Sequence, residues 1–307
     1  MYILKSDDFL NFKVDKKMNT NDFLRERGFS SRLIRKSIRE KLIYLNGKNL
    51  QENKKLKLNN IISVKIPDEL PNGLVEHMPL DILYEDEDII AINKPPYMVT
   101  HTAKDDLSGT LLNYVCGYFD EISLKRKARF ANRLDRDTSG IVIIAKSAYA
   151  HANISEQFER QITKRYLAIV QGILEKKEGL IEKPIARSDD GIKREVNYVL
   201  GKYSKTSYKV IREYNNMSLL DVQLFTGRTH QIRVHLKSIG HPIVGDSLYN
   251  CKSSFINRQA LHCYYMQIKK VRTAENIEIY AKEPDDFNFL KWANLANCNF
   301  LVYNNYR

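Results

Sequence analysis

Asn132-Arg133-Leu134-Asp135-Arg136-Asp137-Thr138-Ser139-Gly140 runs directly into Ile141-Val142-Ile143-Ile144-Ala145. The second half is an unbroken apolar, largely β-branched run, the pattern of a strand buried on both faces. The first half is rich in Asp, Thr, Ser and Gly, residues that bend the chain into such a strand. A polar loop at the mouth of a core strand is also where a rigid scaffold can hold a catalytic group. Asp135 therefore has two readings at this point, an Asx-turn residue or a reactive carboxylate.

Working outward, Ile89-Ile90-Ala91-Ile92 reads as a second buried strand. Ser147 to about Ile162 reads as a helix, with Ile154, Phe158 and Ile162 one turn apart. Tyr166 to Val170 returns as a strand, and Leu220, Val222 and Leu224 alternate as a half-buried one. Thr229 to Ile239 is predicted to be a helix, closed by Gly240 and Pro242. The alternation is irregular, so the predicted class is α+β, not a doubly wound sheet. No internal repeat is visible.

The chain has 307 residues, of which 43% are hydrophobic and 28% charged, and a formal charge of +12. Such a composition supports a sizeable core and excludes disorder, collagen and low-complexity architectures for the bulk of the chain. The charge is uneven. Residues 1–68 hold 16 Lys and Arg against 8 Asp and Glu, a net +8, and residues 69–307 hold 33 against 29, a net +4. This asymmetry suggests a basic module for nucleic acid or a membrane surface, joined to a more neutral body. No apolar run approaches a membrane span, and Met1 to Asp8 has no signal-peptide core. The four cysteines, Cys116, Cys251, Cys263 and Cys298, form no C-x-x-C pair, which fits thiols in a reducing cytoplasm. His230 and His235 are five apart, not the four that puts two ligands on one helix face, so no metal is expected.

Residues 15–68 are predicted to form a small helix–helix–hairpin unit. Asn21-Asp22 can cap a helix stopping near Gly28, and Ser30-Ser31 a second with Leu33, Ile34 and Ile38 as its apolar face. Leu42 to Leu45 is strand-like, Asn46-Gly47 is a hairpin turn signal, and Ile61 to Ile66 is a further strand ending at Pro67. Arg32, Arg35, Lys36 and Arg39 on the second helix suit a phosphate backbone, or else a solvated face. Through Ser31-Arg32-Leu33-Ile34-Arg35-Lys36 and Tyr44-Leu45-Asn46-Gly47-Lys48, the segment resembles the small RNA-binding domain named after the fourth ribosomal small-subunit protein. Residues 69–80, with Pro71, Gly73 and Pro79, read as a linker. The body is placed at 81–290 and a C-terminal extension at 291–307.

Two further segments carry chemistry. One is Lys164-Arg165-Tyr166-Leu167-Ala168-Ile169-Val170-Gln171-Gly172. The other, Gly227-Arg228-Thr229-His230-Gln231-Ile232-Arg233, feeds a helix whose N-terminus and arginines favour anions. With Arg133-Leu134-Asp135 and Thr138-Ser139-Gly140, with Gly240-His241-Pro242-Ile243-Val244-Gly245-Asp246 and with Ile92-Asn93-Lys94-Pro95, these segments resemble the RluA-type pseudouridine synthases. The likeness runs from about residue 80 to 285 and rests on several ordered motifs. It implies a catalytic domain on a largely antiparallel mixed sheet with flanking helices. Two departures stand out: Asn132 where the family has His, and Tyr97 where a glycine is common.

The resemblance implies the isomerisation of uridine within RNA. Asp135 is then the catalytic carboxylate, either a nucleophile at the anomeric carbon or a base removing the ribose 2′ hydrogen. One carboxylate suffices because the departing uracil is itself the final nucleophile, unlike in hydrolysis. Arg233 is implied to pair with Asp135 and keep it ionised. Tyr166 is implied to stack on the target base and assist proton transfer. Arg133 fills the gap left by the extruded uridine or anchors a phosphate. Lys94, Arg228 and His230 are weaker candidates for RNA contact. No cofactor is expected. The partner is RNA, ribosomal or transfer, and the protein is expected to be a cytoplasmic monomer. The alternative is a non-catalytic RNA-binding or ribosome-assembly factor on the same scaffold.

Overall fold

The computed structural model describes residues 4, 7–101, 107–160, 162–250 and 252–290. The expected C-terminal extension, 291–307, and Cys251 and Cys298 lie outside the described residues. The fold is mixed α+β, with few helices and a large, mostly antiparallel sheet. The chain divides into two compact units. One comprises the described residues within Met1–Arg165 and Cys263–Ala281, the other those within Tyr166–His262 and Lys282–Arg307. This division does not coincide with the expected one at 69–80.

The first unit opens with a strand that the sequence reading missed, β1 (Phe9–Lys13). Helix α1 (Thr20–Glu26) and helix α2 (Ser31–Arg39) follow, with Gly28 between them at φ 86°. Ser30 caps α2, its Oγ accepting Leu33 N–H at 3.2 Å, which stabilises by about 1 kcal/mol. Strands β2 (Ile43–Leu45) and β3 (Lys48–Asn49) flank Asn46-Gly47, whose positive φ angles, 48° and 81°, belong to a tight hairpin. With β4 (Ile61–Lys65) they make a four-stranded sheet of order β1-β4-β2-β3.

This N-terminal part is packed onto the rest of its unit. Phe12 and Phe29 meet Tyr149 with ring centroids at 6.1 and 4.5 Å. Arg272 donates to Phe9 O and Asp7 O while pairing with Asp88 at 2.8 Å. The segment expected to be a linker is fastened too. Asn72 exchanges two 2.9 Å bonds with Ala128, and Arg129 holds Glu69 at 2.6 Å.

Strands β5 (Ile82–Glu85) and β6 (Ile89–Lys94) lead to helix α3 (Leu111–Glu121), also missed by the sequence reading. Strand β7 (Arg129–Phe130), strand β8 (Ser139–Ala145) and helix α4 (Ala148–Arg160) complete this stretch. Ile89 to Ile92 and Ile141 to Ala145 are fully buried, as an uninterrupted apolar run requires, each isoleucine contributing roughly 1.5–3 kcal/mol. β8 pairs antiparallel with β6 from Ile89–Ala145 to Lys94–Gly140.

In the second unit, β9 (Thr163–Gln171, in this unit from Tyr166), β10 (Glu178–Glu182), β13 (Lys205–Tyr214) and β14 (Met217–Leu224) lie in the order β10-β13-β14-β9. Strands β11 (Ile185–Arg187) and β12 (Arg194–Val196) form a separate pair. Helix α5 (Gln231–Ser238) is two residues shorter at its start than predicted. His230 sits at φ 57°, a left-handed residue that no helix can include. Gly240, at φ 84°, follows the helix end as a glycine terminator does. Strands β15 (Leu261–Lys269) and β16 (Asn276–Tyr280) pair with each other in the first unit. Among the described residues, no helix is long and apolar enough to cross a membrane.

Candidate active site

In the first unit, the loop 132–138 is held from several sides before it enters β8. Thr138 N–H donates to Asp135 O at 3.0 Å, so Asp135 opens a tight turn and is half-buried. Thr100 Oγ1 donates to Leu134 O at 2.9 Å. Asn132 stands where the family has histidine and bonds the backbone of β8. Its Oδ1 accepts Ile143 N–H at 2.8 Å and its Nδ2 donates to Ile141 O at 3.1 Å. At Gly140, with φ 113°, a Cβ would stand 2.2 Å from Cys263 O, so only glycine admits strand β15 there. Arg133 and Arg136 are exposed to solvent.

Lys94 departs from its expected role in RNA contact. It is fully buried, and its Nζ donates to Pro95 O at 2.9 Å, Met98 O at 2.9 Å and Arg136 O at 3.0 Å. Three carbonyls satisfy an ammonium that burial would otherwise penalise. Lys94 therefore ties the 95–98 turn to the loop of Asp135. Within that turn Tyr97 keeps the conformation a glycine would prefer, φ 64°, at roughly 1–2 kcal/mol. The sequence reading also missed His101, whose ring lies 4.4 Å from that of Phe130. Burial, and then the Arg133 charge, push its pKa below the ordinary histidine value.

In the second unit, Arg233 is buried on α5 and forms a two-pronged ion pair with Asp246, Nε to Oδ2 at 2.7 Å and Nη2 to Oδ1 at 2.8 Å. Its guanidinium lies 5.0 Å from the Tyr249 ring centroid. The Tyr249 hydroxyl accepts Arg194 N–H at 2.7 Å and stands 2.8 Å from His230 Nδ1. Arg233 and His230 are thus brought together around Tyr249. Asp246 and Tyr249 are not among the residues expected at the site, although Asp246 closes the Gly240–Asp246 motif.

Gln231 organises the preceding turn. Its Oε1 accepts Arg228 N–H at 3.0 Å and Thr226 Oγ1–H at 2.8 Å, and its Nε2 donates to Lys205 O and Thr206 Oγ1. Arg228 is exposed, with Nε donating to Tyr203 O at 3.3 Å. Tyr166 is buried on β9, on the same strand face as Ala168. Arg32 and Arg35 are exposed and Lys36 half-buried on α2, an element apart from the loop of Asp135.

A half-buried carboxylate on a clamped turn can attack or take a proton, and a basic rim suits a polyanion. Residues 88–238 match the family model described as RNA pseudouridylate synthase, a span that includes Asp135, Tyr166 and Arg233. An uncharacterized RNA pseudouridine synthase of Bacillus subtilis (strain 168) is 35% identical over 277 residues, covering 89% of this chain and 98% of that relative. Ribosomal large subunit pseudouridine synthase D of Haemophilus influenzae is 36% identical over 241 residues, 74% of each chain. Among solved structures, human RNA Pseudouridylate Synthase Domain Containing 1 superposes with a TM-score of 0.57 at 29% identity, over 67% of this chain and 84% of that one. The chain belongs to the RNA pseudouridylate synthase family and is an RNA pseudouridine synthase, an isomerase.

Proposed function

We propose that the chain converts a specific uridine of ribosomal RNA to pseudouridine, with Asp135 as the catalytic carboxylate. The observation that carries this reading is the clamped turn of Asp135, fixed by Lys94, Thr100 and the glycine-only entry into β8. A reacting group needs such a rigid mount, because small displacements are costly to rate. The large-subunit name of the Haemophilus influenzae relative favours ribosomal over transfer RNA.

In the reaction, the bond from the ribose anomeric carbon to uracil N1 breaks. The uracil turns, its C5 bonds to the anomeric carbon, the C5 proton is released and N1 takes up a proton. Nothing is added or lost overall. Asp135 holds the sugar between the two bonds, by attack at the anomeric carbon or by taking the 2′ proton. Arg233 is read as the cation that favours the ionised form of Asp135. Tyr166 stacks on the uracil and assists the proton transfer at C5. Arg133 occupies the space that the extruded uridine leaves, while Arg228 and His230 meet flanking RNA. Extrusion costs a few kcal/mol, and phosphate contacts from the basic N-terminal module, read as an RNA-docking domain, offset it. The protein works as a monomer in the cytoplasm.

The test is pseudouridine mapping of total RNA from cells with the gene, without it, and complemented with Asp135→Asn. One or a few ribosomal uridines should lose the modification in the deletion and stay unmodified in the complement. A complement that restores the modification removes Asp135 from the chemistry.

A further inference from the structure

Tyr97 combines three properties that the fold does not require. Its φ of 64° lies in the left-handed region that bulky residues avoid. The residue is 52% exposed, so burial does not compensate for the strain. The turn carrying it is fastened to the loop of Asp135, since Lys94 Nζ bridges Met98 O and Arg136 O, and Arg136 Nε donates to Tyr97 O at 3.4 Å. Glycine would adopt this backbone without strain. An exposed aromatic ring kept on a strained turn beside a reactive loop points to a role outside the fold.

We propose that Tyr97 is a stacking platform for an RNA base flanking the target uridine. The inference rests on the assignment of Asp135 as the catalytic carboxylate. Once a uridine leaves its stack, the neighbouring base exposes a π face that an aromatic side chain can cover. The exposed Arg136 supplies a cation for a phosphate beside that base. A ring on a fixed turn loses little freedom on binding, so the clamp by Lys94 makes stacking more effective.

The experiment uses the full chain, with Tyr97→Gly and Tyr97→Phe, on total RNA from cells lacking the gene. That RNA contains the unmodified target whichever uridine it is. Tyr97→Gly should raise KM about tenfold with kcat within about twofold, the loss of one base–ring stack. Its thermal midpoint should be equal to or above that of the wild type, because the strain is relieved. Tyr97→Phe should keep the wild-type KM. An unchanged KM in Tyr97→Gly overturns the proposal, as does a lowered thermal midpoint accompanying the loss. Equal losses in Phe and Gly would also overturn it, by assigning the effect to the hydroxyl. Asp135→Asn run alongside separates the two claims. If it turns over, the Asp135 assignment fails. If it is inactive while Tyr97→Gly behaves as wild type, only the stacking claim fails.

Discussion

Arg233 grips both carboxylate oxygens of Asp246 through parallel bonds of 2.7 and 2.8 Å, and the carboxylate is wholly buried. The same carboxylate accepts the N–H groups of Leu248 at 3.0 Å and Tyr249 at 3.1 Å. It therefore orients the arginine and shapes the turn behind it.

Removing one member of such a pair leaves the other buried without its counter-charge. Asp246→Ala should lower stability by about 3–5 kcal/mol in urea unfolding. Asp246→Asn, which keeps an acceptor for the two N–H groups, should lose less. Arg233→Lys should not restore the pairing, since an ammonium cannot make the two-pronged contact. A loss below about 1 kcal/mol for Asp246→Ala would show that the pair contributes orientation only.

What was legible in the sequence divides along physical lines. Ile141 to Ala145 was readable because an unbroken apolar run has one good explanation. Helix α3 was not, because most of its residues are buried and no polar stripe marks its period. Its interior Gly117 reads as a breaker, yet a Cβ there would lie 1.9 Å from Glu76 O, so the passing backbone demands it. The turn that carries Asp135 was legible because Asp, Thr, Ser and Gly precede a buried strand. The partnership of Arg233 with Asp246 was not, because thirteen residues and a turn separate them. Lys94 misled for a related reason: a lysine reads as exposed, and only the fold brings three carbonyls to its ammonium.

His235 gives a pH dependence of known sign. It is fully buried, with Nε2 at 2.9 Å from Lys183 O and Nδ1 at 2.9 Å from Thr206 Oγ1. Lys183 O can only accept, so Nε2 carries the proton and Nδ1 accepts from the threonine. Burial is the main cause that holds its pKa below the ordinary histidine value. A folded-state pKa below the unfolded one means that the unfolded chain binds the extra proton first on acidification. The stabilising contribution is complete above the unfolded value, about 6.5, and is lost as pH falls below it. The stability difference between wild type and His235→Gln should therefore shrink between pH 7.5 and 5.5. A difference that stays constant across this range would mean that His235 does not titrate with unfolding.

The surface of α2 allows the RNA-docking role to be tested residue by residue. Arg32 and Arg35 are exposed, whereas Lys36 and Arg39 face Glu40 at 3.9 and 3.3 Å. A cation already facing a carboxylate gains less from a phosphate, so the first two should dominate. Binding of the full chain to a fluorescein-labelled structured RNA hairpin, measured from 50 to 300 mM salt, reads this directly. Each phosphate contact removed should flatten the slope of log affinity against log salt by about 0.7–0.9. Arg32→Ala with Arg35→Ala should therefore flatten it by about 1.5, and Lys36→Ala by less than either alone. On the docking reading, kcat at saturating RNA should stay near wild type while KM rises. A slope unchanged in the double variant would place the RNA on another surface and leave the excess charge of residues 1–68 as a solvated face.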